Sequence, residues 1–395
     1  MQLDTVYEGD ALTILKTFPD ECVHCCITSP PYWGLRDYGI EGQLGLEPTP
    51  EEYVAKLVEI FREFRRVLRK DGTVWLNLGD SYAATTKGTG GTEASGLNAK
   101  RDELGNLHPD RKSQPTNKGY RFDVKHSNLK PKDLVGIPWR VAFALQADGW
   151  YLRLDIIWSK PNPMPESVTD RCTKAHEYLF LLTKSARYYY DAEAIRESNI
   201  SRPRGREKGN GESAVDTKMR GHGSHCGTYG TARNRRSVWT IATMPYPEAH
   251  FATFPEALVE PCIMAGTSER GCCSECGAPW KRVVKKEGGT ATTQKERGKT
   301  RPSGYGGISS NHWDYNGGIS MGGGTSHTTG WRPTCDCNAE IVPCVILDMF
   351  AGSGTVCKVA LRARRHFVAI ELNPEYIAMI EKRIGPLMRQ EEMMI

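Results

Sequence analysis

The chain has 395 residues, with 52 Lys+Arg against 47 Asp+Glu and a formal net charge of +5. Its length allows two or three domains, and a mean hydropathy of −0.50 with no apolar run of about 18 residues excludes an ordinary membrane-spanning helix. A charge of +5 is too small to identify a nucleic-acid partner, so the position of the charge matters more than its sum. The opening MQLDTVYEGDALTIL lacks a basic segment followed by an apolar one. No signal peptide is therefore expected, and a cytoplasmic location is. In that compartment thirteen cysteines, scattered or in close pairs, read as reduced thiols or metal ligands rather than a disulfide framework.

Residues 1–82 alternate between strand and helix patterns. The β-branched run from Val23 to Thr28 leads into Ser29-Pro30-Pro31-Tyr32, a strand running into a rigid turn. Thr49-Pro50-Glu51-Glu52 reads as a helix start: a capping hydroxyl, proline at the first position and Glu three residues after the cap. Tyr53, Leu57, Ile60, Phe61, Phe64 and Leu68 form its apolar face, and Asp71-Gly72 is expected to end it. Residues 73–78 read as the next buried strand.

Residues 83–130 are rich in Gly, Thr, Asn and Lys without sustained period, and read as a long insertion. Order resumes with a helix near 138–147 and strands near 152–158 and 178–183. Between the strands, Lys160-Pro161-Asn162-Pro163-Met164-Pro165 fits neither helix nor central strand. Residues 199–236 carry nine basic residues (Arg202, Arg204, Arg206, Lys208, Lys218, Arg220, Arg233, Arg235, Arg236) against Glu207, Glu212 and Asp216, a net of +6. A third polar insertion, 271–340, is Gly-rich and bracketed by cysteine pairs. The last block returns to strand–helix–strand–helix, so the whole reads as an α/β domain with a largely parallel sheet.

In that block Val345-Ile346-Leu347-Asp348 is a buried-strand pattern running into Met349-Phe350-Ala351-Gly352-Ser353-Gly354-Thr355. A helix follows through Val356, Val359, Ala360 and Leu361. Glycines at a strand-to-helix turn let the backbone approach a ligand, and Glu371 at the tip of the next strand, 366–370, suits ribose hydroxyls. No P-loop lysine follows, which disfavours ATP or GTP, and no third glycine stands at the dinucleotide spacing. An adenosine-containing ligand is the expectation. Asn373-Pro374 starts the last helix, with Ile377, Ile380 and Ile384 on its apolar stripe. At the proline turn, two consecutive prolines remove two backbone donors, so neighbouring carbonyls point in fixed directions beside the aromatic face of Tyr32. Ser29 and the Pro30 carbonyl are placed to accept hydrogen bonds from an exocyclic amine lying against Tyr32.

TSPPY together with FAGSGT resembles the amino-methylating (N4-cytosine / N6-adenine) DNA methyltransferases that use S-adenosylmethionine (AdoMet). The proline turn comes first and the glycine turn last, which resembles that family's permuted, beta arrangement. The likeness extends to Glu8-Gly9-Asp10, the KPNPMPES segment, His176-Glu177-Tyr178 and His250-Phe251-Ala252-Thr253-Phe254-Pro255. It implies a Rossmann-like methyltransferase sheet with helices on both faces and a circularly permuted motif order, interrupted by polar insertions. The divisions expected are a catalytic half at 1–82, an insertion at 83–130, continued core at 131–198, a target-recognition region at 199–245, an AdoMet-side helix at 246–270, a cysteine-bracketed insertion at 271–340 and an AdoMet-binding half at 341–395.

The resemblance also implies site residues. Ser29, Pro30, Pro31 and Tyr32 would form the catalytic turn. AdoMet would be held by Asp10, His250, Phe254, Pro255, Asp348, Phe350, Gly352, Ser353, Gly354, Thr355 and Glu371, with Asp10 on the adenine and the His250–Pro255 segment near the methionine end. Direct attack of the amine on the methyl group needs no cysteine nucleophile, and a duplex base must be flipped out to reach the site. Serine at the head of the turn favours N4 of cytosine; N6 of adenine stays open, since a neutral serine can serve it too. The implied partner is double-stranded DNA in a bacterial or phage-type setting, with no membrane and with a homodimer left open.

Cys273-x-x-Cys276-Gly277 resembles a zinc-ribbon knuckle, and with Cys335-x-Cys337 it gives four thiolates for a structural Zn2+. The 58 residues between the pairs exceed ordinary ribbon spacing, and Cys272 is an alternative ligand. The remaining cysteines (Cys22, Cys25, Cys26, Cys172, Cys226, Cys262, Cys344, Cys357) read as small core residues or surface thiols. Phosphate binding needs clustered Lys and Arg, so 199–236 is the candidate recognition loop. A second cluster at 281–301 sets Lys281, Arg282, Lys285, Lys286, Lys295, Arg297, Lys299 and Arg301 against Glu287 and Glu296. Two other readings remain at this point: methylation of an RNA or protein amide, and a non-enzymatic zinc-ribbon DNA binder.

Overall fold

The computed structural model describes residues 1–35, 39–40, 42–83, 129–198, 232–244, 254–287 and 325–392. The chain divides into two units. The larger comprises Met1–Ala194, Arg236–Lys281 and Pro333–Ile395, and the smaller Ile195–Arg235 and Arg282–Arg332.

The larger unit is built on β1 (Thr5–Glu8), α1 (Ala11–Leu15), β2 (Val23–Thr28), α2 (Pro50–Val67), β3 (Leu68–Leu78), α3 (Ile137–Ala147), β4 (Tyr151–Ser159) and β5 (His176–Thr183). In the smaller unit β6 (Glu197–Ser198) pairs with β7 (Ala232–Arg233). The larger unit continues with β8 (Val238–Thr240), α4 (Glu256–Gly266) and β9 (Cys272–Cys273). Then β10 (Lys281–Glu287) pairs with β11 (Thr325–Arg332), and β9 with β12 (Ile341–Val342). The last elements are β13 (Val345–Asp348), α5 (Thr355–Arg362), β14 (His366–Glu371) and α6 (Pro374–Glu392).

Eight strands form one sheet in the order β1-β14-β13-β2-β3-β5-β4-β8. The five from β1 to β3 run parallel, and β5 alone runs against both neighbours. The sheet is covered on both faces, as the α/β reading anticipates. On one face Leu57, Phe61 and Phe64 of α2 and Val141 and Leu145 of α3 pack in one core with Leu15, Val74, Leu76, Leu347 and Val368. On the other, α4 crosses β2 and β3 so closely that a Cβ on Gly266 would stand 2.6 Å from both Cys25 Sγ and Thr73 Oγ1.

Because β13 lies between β14 and β2, the two ends of the chain meet in the middle of the sheet. The carboxyl ends of β1, β14, β13, β2 and β3 emerge on one edge, the position where open parallel sheets bind ligands. Helix α2 starts as expected: Thr49 Oγ1 accepts from Glu52 N at 3.2 Å, and Pro50 is its first residue. It ends four residues before Asp71, however, because Leu68 is already extended and pairs with Val23. The register then shifts, and the Arg69–Asp71 ion pair (2.9 Å) sits where the chain bulges before Thr73 pairs with Cys25.

The long insertion after β3 leaves and returns through a closed neck. Tyr82 bridges Leu134, Ala83 N donates to Asp133 O (2.8 Å), and Asp80 Oδ1 accepts from Gly136 N and Ile137 N at the start of α3. Residues 84–128 lie outside the described residues, as do 199–231 and 288–324. Six of the nine basic residues of the first cluster and four of the eight of the second fall there. Val238–Thr240, inside the stretch read as a recognition region, forms the sheet's edge strand beside β4.

Candidate active site

The proline turn and the glycine turn stand on neighbouring strands. Leu347 of β13 pairs with Cys26 of β2, and one residue before Ser29 the Thr28 hydroxyl donates to Asp348 Oδ1 at 2.7 Å. The same carboxylate oxygen accepts from Phe350 N at 3.1 Å, so one buried aspartate ties both turns together. Its other oxygen, Oδ2, is buried with no hydrogen-bond partner among the described residues. Burial pushes the Asp348 carboxyl up to about 7, against the pull of the Thr28 hydroxyl and the Phe350 amide.

Around the glycine turn, Gly352 N donates to Glu371 Oε2 (2.7 Å) and Asn373 N to Glu371 Oε1 (2.9 Å). Burial raises the Glu371 carboxyl above the usual carboxylate range despite those amides. Gly352 and Gly354 both take positive φ, +51° and +72°. A Cβ on Gly354 would stand 2.8 Å from Ile380, whereas one on Gly352 would meet nothing within 4 Å. The backbone at Gly352 is thus open to a ligand beside the Glu371 carboxylate. Arg383 of α6 clamps the turn from behind, donating to Ser353 O (2.9 Å), Ser353 Oγ (3.0 Å) and Thr355 Oγ1 (3.1 Å).

Asp10 caps α1, accepting from Thr13 N and Thr13 Oγ1 at 2.9 Å each. It is exposed at the end of β1, where Gly9 N donates to Glu371 O (3.0 Å), so it shares the edge with Glu371. Pro255 caps α4, next to Glu256, which is ion-paired with Lys358 and Arg362 of α5 at 2.7 Å and with Arg383 at 3.5 Å. Phe254 and Pro255 are thereby tied to the helix that follows the glycine turn. His250 lies outside the described residues.

The proline turn is equally braced. Tyr53 Oη donates to Pro31 O (2.9 Å), and Gly79 lets the Tyr32 ring lie on its backbone: a Cβ there would be 2.5 Å from Tyr32 Cε2. The Tyr32 hydroxyl reaches Glu177 Oε2 (2.8 Å) and Asn77 Oδ1 (3.0 Å), and Ser29 Oγ reaches Asn77 Oδ1 and Tyr32 Oη, each at 3.4 Å. Burial, with the Glu177 charge adding to it, raises the Tyr32 phenol well above its ordinary value. Glu177 is also ion-paired with Lys160.

Sequence reasoning assigned no role to Thr28, Asn77, Lys160, Glu177 or Arg383. Asn77 did leave a signal, as the single polar residue in the Trp75–Leu78 part of a buried strand. Asp348 yields a test of its own. Below about pH 4 the carboxyl is protonated in folded and unfolded chains alike; between there and about pH 7 only the unfolded chain gives up its proton. Stability should therefore fall as pH rises through that window, by about 4 kcal/mol at about 1.4 kcal/mol per unit, with Glu371 acting in the same direction. Asp348→Asn keeps an acceptor for Thr28 and Phe350, and urea unfolding at pH 5 and 7.5 is expected to show a smaller fall for the variant than for the wild type.

The four cysteines Cys273, Cys276, Cys335 and Cys337 converge, with their sulfurs all within 4.8 Å of one another. A tetrahedral zinc with bonds of about 2.3 Å asks for sulfurs about 3.8 Å apart, so the donor set fits. Cys272 is not part of it: its thiol is buried with His24 and Cys344 and lies 3.4 Å from Val342 O.

Comparison with known proteins identifies the family. A family model described as DNA methylase, of the N6/N4 methyltransferase type, matches residues 23–274 and 344–382. The chain is 39% identical to the type II methyltransferase M.Cfr9I of Citrobacter freundii over 380 residues, covering 96% of this chain and 87% of that protein. It is 46% identical to M.SmaI of Serratia marcescens over 263 residues, covering 67% of this chain and 75% of that one. The fold is similar to that of the PvuII DNA methyltransferase (cytosine-N4-specific), with a TM-score of 0.50 at 15% identity, covering 97% of this chain and 90% of the other. A buried carboxylate oxygen without a partner among the described residues, beside an open glycine backbone and a second carboxylate, fits AdoMet, whose sulfonium is cationic and whose ribose offers hydroxyls. The chain belongs to the AdoMet-dependent amino-methylating (N4-cytosine / N6-adenine) DNA methyltransferases and is a DNA methyltransferase.

Proposed function

We propose that the chain methylates N4 of cytosine within a specific duplex DNA site. The observation that carries the choice of base is the neutral Ser29 at the head of the proline turn, a residue associated in this family with cytosine more often than with adenine. AdoMet supplies an electrophilic methyl group. Gly352, Ser353, Gly354, Thr355 and Phe350 would cradle it, with Glu371 on the ribose, Asp10 on the adenine and Asp348, Phe254, Pro255 and His250 toward the methionine end. Ser29 Oγ and the Pro30 carbonyl would each accept one N–H of the flipped base, favouring a pyramidal nitrogen with a free lone pair. Pro31 stiffens the turn, and the Tyr32 ring offers the stacking face. Positioning and fixed dipoles then supply the acceleration.

No thiol takes part in this scheme. Cys25 is pushed up to about 12 by burial, and Cys26 is raised well above its ordinary value for the same reason. Both are closed inside the sheet. The cysteine cluster is proposed to hold a structural Zn2+, and the basic stretches 199–236 and 281–301 to contact DNA phosphates.

The test is chemical identification of the product. Duplex DNA methylated by the purified protein is digested to nucleosides and separated by mass spectrometry. N4-methyl-deoxycytidine is expected; N6-methyl-deoxyadenosine in its place would reassign the base, with the rest of the site unchanged.

A further inference from the structure

We propose that Glu177, acting through the Tyr32 hydroxyl, is the positioning residue that makes Ser29 a hydrogen-bond acceptor for the substrate amine. The inference rests on the reading that Ser29 faces that amine. A serine hydroxyl can donate or accept, and an amine that must present its N–H groups needs an acceptor. Something in the protein must therefore direct the Ser29 proton elsewhere.

Counting protons around Ser29 shows what does. Glu177 Oε1 is paired with the Lys160 ammonium, and both side chains are less than one-fifth exposed, at 17% and 18%. An ionised carboxylate only accepts, so Glu177 Oε2 takes the single Tyr32 proton across 2.8 Å. Asn77 Nδ2 donates to Tyr178 O (3.1 Å) and to Glu177 Oε2 (3.3 Å), which turns Asn77 Oδ1 toward the turn. Ser29 Oγ thus has two neighbours at 3.4 Å, an amide oxygen and a phenol oxygen whose proton is already committed. Both accept. The Ser29 proton points at them, and its lone pairs are left for the base.

The hairpin of β4 and β5 builds this device. Trp158 pairs with Glu177 and Ser159 with His176, Lys160 N donates to Ala175 O (2.8 Å), and the Lys160 ammonium lies 4.2 Å above the Trp158 ring. Glu177→Gln keeps the size but adds a donor. The Tyr32 proton can then turn toward Asn77 or Ser29, and the Ser29 proton outward against the amine.

The experiment measures single-turnover methylation of duplex DNA, together with AdoMet affinity by calorimetry and thermal midpoint. Glu177→Gln and Tyr32→Phe are each expected to slow transfer about 10- to 100-fold, with AdoMet affinity within about twofold. Because both break one chain, the double variant should be no slower than the slower single. Ser29→Asp, an acceptor that needs no help, should make Glu177→Gln and Tyr32→Phe nearly silent in its own background. If Glu177→Gln does not fold, Tyr32→Phe, which removes one oxygen, carries the same comparison with Ser29→Asp. Losses that multiply in the double variant, a Glu177→Gln rate within twofold of wild type, or persistence of the full loss in the Ser29→Asp background would overturn the role of Glu177. A wild-type protein that transfers no methyl to any DNA would instead overturn the functional reading beneath it.

Discussion

Replacing Ser29 with alanine is expected to slow single-turnover methyl transfer by about 10²–10³-fold, the usual cost of removing one preorganised group from a transition state. AdoMet affinity should change by no more than about twofold. The separation follows from the sheet: Ser29 leaves β2, whereas the groups proposed to hold AdoMet stand at the ends of β1, β13 and β14 and ahead of α4, and the link between the β2 and β13 turns is Thr28 to Asp348 rather than Ser29 itself. Stability should hardly move, since Ser29 is only half-buried and its hydrogen bonds are long, at 3.4 Å. A loss of AdoMet affinity equal to the loss of rate would place Ser29 in the cofactor pocket and remove it from the amine. Rapid-quench assays with labelled AdoMet, beside calorimetry on the same protein, separate the two outcomes.

Local features were legible in the sequence, and contacts across the sheet were not. TSPPY and the FAGSGT turn carry their conformational demands in their own residues, so their positions at strand ends could be read directly. The strand at 73–78 was found, but its start was not: Leu68 joins β3 because it pairs with Val23, a long-range fact that overrides a good helical period. Thr28 and Asp348 are 320 residues apart, and nothing in either segment announces that β2 and β13 are neighbours. Resemblance to a permuted family supplied that adjacency as an expectation; the strand order carries it as geometry. Arg383, and the role of Glu177 within the His176-Glu177-Tyr178 likeness, escaped for the same reason. Arg383 is one cation on an amphipathic helix until α6 packs behind the glycine turn, and Glu177 is one acid in a buried strand until β4 brings Lys160 beside it.

The cysteine pairs sharpen this contrast and lead to the second large effect. Fifty-eight intervening residues argued against a ribbon, yet the four sulfurs converge, because the chain leaves the larger unit after Lys281 and returns at Pro333. The intervening length belongs to an excursion and not to the metal loop. The knuckle is also seated on the core: Gly277 O lies 2.9 Å from His24 Nε2 of β2, Val345 N donates to His24 Nδ1 (3.1 Å), and Arg69 donates to Cys276 O. With both ring nitrogens engaged, His24 braces the knuckle and is not a ligand. The protein as purified is therefore expected to carry one zinc per chain by elemental analysis. Cys276→Ser and Cys337→Ser should lose it, and Cys272→Ser, whose thiol faces His24 and Cys344, should keep it. A metal present at about a thousand times its dissociation constant stabilises by about 4 kcal/mol. At about 2–4 °C per kcal/mol for a unit of this size, chelation should lower the thermal midpoint by about 8–16 °C. Since the cysteines stand near the amino-terminal ends of β2 and β13, opposite the Ser29 and Gly352 turns, a brief chelator treatment at low temperature should leave AdoMet affinity within about twofold. Zinc-free protein with an unchanged midpoint would leave the four thiols without a metal role, and immediate loss of AdoMet binding would mean that the metal supports the cofactor pocket directly.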